Sequence, residues 1–99
     1  MTKRDLVVKI ARETNLNQGQ VAETVQKVLD YIAEELISGR TIELRNFGVF
    51  EIKVRKSRKG RNPNEPKHEV VIPERTVVKF RAGKELKEAV EKLDPADFK

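Results

Sequence analysis

The chain has 99 residues, a formal net charge of +5 and no cysteine. Disulfides and thiolate metal sites are thereby excluded, a composition that suits a reducing compartment. A chain this short makes one domain, 1–99, and buries only part of the surface its unfolded form exposes.

The opening Met1-Thr2-Lys3-Arg4-Asp5 is charged at once, and no later apolar run approaches the roughly 20 residues that span a bilayer, so an intracellular, soluble protein without a membrane segment is expected. Thr2 and Asp5 have the spacing of a helix cap with an acidic residue at the third helical position. Leu6, Ile10 and Ala11 then recur at helical spacing, which predicts a first helix from Lys3 to about Thr14. Asn17 caps the next helix, whose stripe of Val21, Val25, Val28, Leu29, Ile32 and Leu36 ends at Gly39. From Thr41 the period becomes two. Ile42 and Leu44, then Phe50, Ile52 and Val54, alternate with charged residues across a tight turn near Asn46-Phe47-Gly48. A third strand pattern, Val70 and Ile72, breaks at Pro73 and resumes from Val77 to Phe80. Lys84 to Leu93 reads as a short helix with Leu86, Val90 and Leu93 inward, and Asp94-Pro95 ends it in a polar tail, 94–99.

The fold class is therefore α+β: two N-terminal helices, a three-stranded antiparallel sheet from which a long β-hairpin arm, about 53–75, protrudes, and a short C-terminal helix. An arm adds little to a core. The stripe of the second helix, with Val25, Leu29, Ile32 and Leu36, and the aromatic residues Phe47, Phe50 and Phe80 need a cover, for which a second copy is expected.

Charge is distributed unevenly: residues 1–52 carry a net −1, residues 53–84 a net +8 and residues 85–99 a net −2. Lys53, Arg55, Lys56, Arg58, Lys59 and Arg61 put six cations into nine residues. Taken alone the run fits a solvated loop. Between two strand patterns and ending on Asn62-Pro63, it fits a ribbon that neutralises phosphates, each contact contributing a salt slope of roughly −0.9. Gly83-Lys84 opens the last helix, where free N–H groups favour a phosphate oxygen, although the longer glycine pattern of a nucleotide-binding loop is missing. His68 has no second histidine or cysteine with which to hold a metal and reads as an exposed arm residue. No cofactor, small-molecule substrate or catalysis is indicated.

The segments "NFGVFEIKVRKSRKGRNP" and "VVIPERTVVKFRAGKELKEAV" resemble the bacterial histone-like HU and integration host factor family of DNA-bending proteins. The resemblance runs from Thr2-Lys3 to about Lys92, with Phe47-Gly48-x-Phe50, Gly60-Arg61-Asn62-Pro63 and Phe80-x-x-Gly83-Lys84 as its most specific parts. It implies an intertwined dimer, a homodimer or a heterodimer with a paralogue, whose two arms wrap the minor groove of double-stranded DNA. Pro63 would wedge between base pairs, a compact ring with no N–H to strand there. Arg55, Arg58, Arg61 and Asn62 would line the arm, while Lys3 and Lys84 would touch phosphates from the body. Asn46, Lys53, Lys56, Lys59, Arg75, Lys79 and Arg81 complete the candidate DNA-binding set. The family implies nucleoid organisation in the cytoplasm.

Three features depart from the family pattern. Asn46 stands where glycine is usual before the phenylalanine, and asparagine can also take positive φ. "NEPKHE" follows Asn62-Pro63 and makes the tip one residue longer, with Pro66 read as an ordinary turn proline. Leu93 to Lys99 extends past the common HU end, toward the integration host factor side. A site-specific bender of that kind is the first rival to low-specificity bending, and an RNA or single-strand binder the second. Against the latter, residues 53–75 hold no aromatic side chain on which bases could stack. An arm that meets an acidic protein is a third.

Overall fold

The computed structural model describes residues 1–62 and 65–99, with the backbone alone at 58–62 and 65–72. Its elements follow the order α1 (Lys3–Thr14), α2 (Gln18–Ile37), β1 (Ile42–Leu44), β2 (Gly48–Arg55), β3 (Arg58–Asn62), β4 (Glu65–Ile72), β5 (Arg75–Ala82), α3 (Lys84–Glu91) and a 3-10 turn (Pro95–Phe98). They form two compact units, residues 1–38 and 39–99.

In the first unit both helix starts are set by side-chain caps. Thr2 Oγ1 accepts from the Asp5 N–H at 3.3 Å while Asp5 Oδ2 accepts from the Thr2 N–H at 2.9 Å, which occupies two otherwise unpaired donors reciprocally. Asn17 Oδ1 accepts from the Gly19 and Gln20 N–H groups at 2.7 and 3.3 Å. Between the caps Asn15 turns left-handed at φ 57°, and Gly39 at φ +80° follows the end of α2. Val7, Ala11 and Val21 are buried, with Ile10 and Val25 packed on them. Val7 takes the inward place expected of Leu6, which is exposed because the α1–α2 contact lies one position further round the helix. Only the start of the α2 stripe enters this core. Val25, Ile32 and Leu36 are half-buried, and Val28 and Leu29 retain 50% and 45% of their exposure.

The second unit holds a three-stranded antiparallel sheet in the order β1-β2-β5 and a two-stranded sheet of β3 and β4. Residues 56–57 and 73–74 interrupt the strands between the two sheets, so Pro73, which has no N–H to give to a ladder, stands at a break as expected. The β3–β4 register runs from Arg58↔Ile72 to Arg61↔Glu69 and then shifts to Asn62↔Glu65. Between Glu69 and Glu65 β4 takes four steps while β3 takes one, so the additional backbone lies in β4. Pro66 lies within that strand at the shift, where the ladder is already irregular, and is not a turn proline. α3 ends at Glu91, earlier than Leu93, and Val90 and Leu93 are exposed where an inward stripe was expected. The tail is not featureless. Asp94 Oδ1 accepts from the Ala96 N–H at 2.9 Å and starts the 3-10 turn.

Among the described residues no side chain is fully buried. An 11.4 kDa chain with that profile has not closed its core alone.

Candidate nucleic-acid interface

The register of β2 on β5 sorts the sheet by parity. Phe50 pairs with Phe80, Ile52 with Val78 and Val54 with Thr76, and β1 adds Ile42 opposite Phe50. Side chains of one parity share a face, so these residues form an apolar one. It is open in the single chain: Val54, Val78, Phe47 and Phe80 are 59%, 58%, 48% and 39% exposed. The rings of Phe47 and Phe50 lie 5.3 and 4.8 Å from that of Phe80 and make one aromatic cluster. Gly48 is required beneath it, because a Cβ there would stand 2.5 Å from both the Arg81 carbonyl oxygen and the Phe80 ring.

The opposite parity carries the charge. Val49 pairs with Arg81, Glu51 with Lys79, Lys53 with Val77 and Arg55 with Arg75. Lys53, Arg55, Arg75, Lys79 and Arg81 therefore share one face, and the arginines of one rung stand directly opposite each other, an unfavourable arrangement in a bare sheet. Glu51 is its central anion: its carboxylate lies 3.3 Å from Arg81 Nε and 4.0 Å from Lys53 Nζ. Lys79 is left against Lys53. A hydrogen bond that Lys53 can donate only to the uncharged Lys79 amine, then the charge of Lys53, lower the Lys79 pKa from its ordinary value, with Arg81 adding to the shift and Glu51 opposing it. A surface that depresses a lysine through neighbouring lysine is short of anions.

At one end of the sheet the turn meets the start of α3. Asn46 takes φ 66°, so asparagine supplies the left-handed residue in place of glycine. The Phe47 N–H donates to the Leu44 carbonyl at 2.9 Å, and the Gly83 N–H donates to the Phe47 carbonyl at 2.7 Å. Together these fix Asn46 and Lys84 around a cavity of about 340 Å³, also lined by Glu43, Leu44, Arg45, Gly48, Val49, Gly83 and Glu85.

Of the expected site residues, the structure therefore gathers Lys53, Arg55, Arg75, Lys79 and Arg81 on one face and Asn46 with Lys84 beside one cavity. Lys56 is exposed just after β2. Lys3 lies in the first turn of α1 and donates to Gln26 Oε1. Arg58, Lys59, Arg61 and Asn62 follow one another along β3, while their side chains, and Pro63, lie outside the described residues. Two residues escaped the sequence reading. Arg45 lines the same cavity as Lys84, and a cation next to the turn was its available signal. Glu51 read only as the polar partner of an alternating strand, since nothing in the spacing gives the register that sets it beneath Arg81. Among the described residues no group of three or more His, Asp or Glu side chains could hold a metal, and no helix is long and apolar enough to cross a membrane.

A family model described as bacterial DNA-binding protein matches residues 1–91. The chain is 40% identical over 90 residues to the DNA-binding protein HU-1 of Halalkalibacterium halodurans, covering 91% of this chain and 99% of that one. It is also 40% identical over 91 residues to the integration host factor subunit alpha of Xylella fastidiosa, with 92% and 91% covered. Among solved structures, the Anabaena HU in a cocrystal with DNA superposes with a TM-score of 0.81 at 34% identity, covering 94% of this chain and 100% of that one. HU from Thermotoga maritima gives 0.64 at 26% identity, with 91% and 98% covered.

Proposed function

The chain belongs to the bacterial DNA-binding protein family, and from that premise we propose that it is an architectural protein that binds and bends double-stranded DNA as a dimer. The observation that carries the reading is the parity of the β2–β5 register. It sends Lys53, Arg55, Arg75, Lys79 and Arg81 to one face, with Arg55 and Arg75 opposed and Val49 and Val77 among them, and places Phe50, Ile52, Val54, Val78 and Phe80 on the other. The cationic face and the basic β3 strand track the phosphates, while the apolar face and the open part of the α2 stripe, Val25, Leu29, Ile32 and Leu36 with Phe47, Phe50 and Phe80, meet a second copy. Phosphate contacts position a protein without reading base identity, so specificity is low and follows deformability. As the resemblance implies, Pro63 of each arm wedges a base step in the minor groove, at a cost of a few kcal/mol that wrapped contacts offset. The protein performs no catalysis and works in the cytoplasm on the nucleoid.

The test is end-to-end energy transfer on a short, doubly labelled duplex, titrated with wild type and with Pro63→Ala at two salt concentrations. Wild type is expected to bring the ends together, and Pro63→Ala to bind with a similar salt slope but bend less. Binding of both without bending would leave the arm an electrostatic clamp. A nicked or gapped duplex should bind better than an intact one, since part of its deformation is already met. The equal likeness to an integration host factor subunit supports one further reading, a site-specific bender. Selection from a random duplex pool separates the two: enrichment of one site favours it, and a flat pool favours low specificity.

A further inference from the structure

We infer that Glu51 is an internal competitor for DNA phosphate: it holds Arg81 and Lys53 in the free protein, yields them when a duplex arrives, and so sets the strength and salt dependence of binding. The inference rests on the reading of this face as the DNA-binding surface.

The geometry distinguishes Glu51 from an ordinary exposed acid. Its rung partner is Lys79, yet its carboxylate sits 3.3 Å from Arg81 Nε and 4.0 Å from Lys53 Nζ. Its side chain is only 18% exposed, whereas Arg81 and Lys53 are 59% and 49% exposed. The anion is thus sunk beneath two cations whose outer surfaces stay open. Arginine presents five donors and Nε is one of them, so the outer guanidinium edge is available to a phosphate. Exposed pairs of this kind are individually weak and easily exchanged.

The consequence lies in the ions. Each phosphate neutralised by the protein releases condensed counterions, giving a slope of roughly −0.9. When Arg81 and Lys53 turn to phosphate, Glu51 is left as a carboxylate beside a polyanion and takes up a cation from solution. That uptake offsets about one of the releases. The isosteric Glu51→Gln keeps an acceptor for Arg81 and removes the charge. It should bind duplex more tightly at low salt with a slope steeper by about 0.9, so that its advantage shrinks about 3.5-fold between 50 and 200 mM salt.

The experiment measures duplex affinity across that salt range for wild type, Glu51→Gln and the double variant Lys53→Gln/Arg81→Gln, with a thermal melt of each to confirm folding. In the double variant two contacts are lost but no cation is left for the carboxylate to yield, so the slope should fall by about 0.9 and not by about 1.8. Weaker binding by Glu51→Gln at an unchanged slope would make Glu51 a strut that orients Arg81, and would overturn the inference. A slope reduced by about 1.8 in the double variant would overturn it independently, even where Glu51→Gln does not fold. A wild type that binds no duplex would remove the reading and the inference together. That outcome is distinct from normal wild-type binding with unaltered slopes in Glu51→Gln, which removes the inference alone.

Discussion

The two faces of the β1–β2–β5 sheet come from the same strands and differ only in parity. On one, Phe50, Ile52, Val54, Val78 and Phe80 offer apolar area that water does not favour; on the other, Lys53, Arg55, Arg75, Lys79 and Arg81 offer charges that do not favour one another. Neither face is at rest in the single chain. The first gains by burial at about 25 cal/mol per Å² and the second by meeting an anion, so the faces call for different partners. Stability should reside on one and DNA affinity on the other, with little exchange between them.

Substituting the centre of the apolar face tests that separation most strongly. Phe80 contacts the rings of both Phe47 and Phe50, and in a dimer that covers it Phe80→Ala should cost about 3 kcal/mol. Denaturation at several protein concentrations, with sedimentation, measures the loss and the accompanying shift toward monomer. A cost below about 1 kcal/mol would mean that the face stays wet and no second copy sits on it. Gly48→Ala attacks the same face from beneath. Its Cβ would stand 2.5 Å from the Arg81 carbonyl, which is fixed in the ladder, so β2 must shift from β5. A thermal melt should report a loss of about 2 kcal/mol.

The cationic face should answer in the opposite sense. Arg75→Gln removes one member of the Arg55↔Arg75 rung, and relief of that repulsion should raise stability by about 0.3 kcal/mol. Its salt slope for duplex binding should fall by about 0.9. A variant that loses stability and leaves the slope untouched would show that Arg75 packs and does not bind.

Most of the fold was legible because its signals are local. The Thr2–Asp5 capping box, the Asn17 cap, the positive φ of Asn46 and the break at Pro73 each follow from a few adjacent residues. The errors share a different cause. Leu6 and Val7 both fit a helical stripe, and only the angle at which α1 meets α2 decides between them. Pro66 reads as a turn until the β4 register is known, and the 3-10 turn after Asp94 depends on a single side-chain cap. The site divided in the same way. A charge count locates the cations, but their assembly on one face, and Glu51 beneath Arg81, depend on pairing between residues far apart in the chain.

The smallest expected effect concerns protons. Lys53 lowers the Lys79 pKa below its ordinary value of 10.5 in the folded protein, first by donating a hydrogen bond that only the uncharged amine can accept and then through its charge. The unfolded chain, free of that neighbour, binds its proton more tightly. Between the lowered pKa and 10.5 the unfolded state therefore carries the extra proton, and stability should rise with pH through that window. Nuclear magnetic resonance of the Lys79 side chain follows the titration directly. Lys53→Gln removes the largest cause, so Lys79 should return toward 10.5 and the pH dependence should flatten. Bound duplex should move Lys79 the same way, because phosphate favours the ammonium as Lys53 disfavours it. The apolar face should register none of this: Phe80→Ala should lower stability equally at pH 8 and pH 10, within about 0.5 kcal/mol. A Lys79 that titrates alike with and without Lys53 would mean that the cations of this face are already screened from one another, and the contrast between the two faces would lose its electrostatic half.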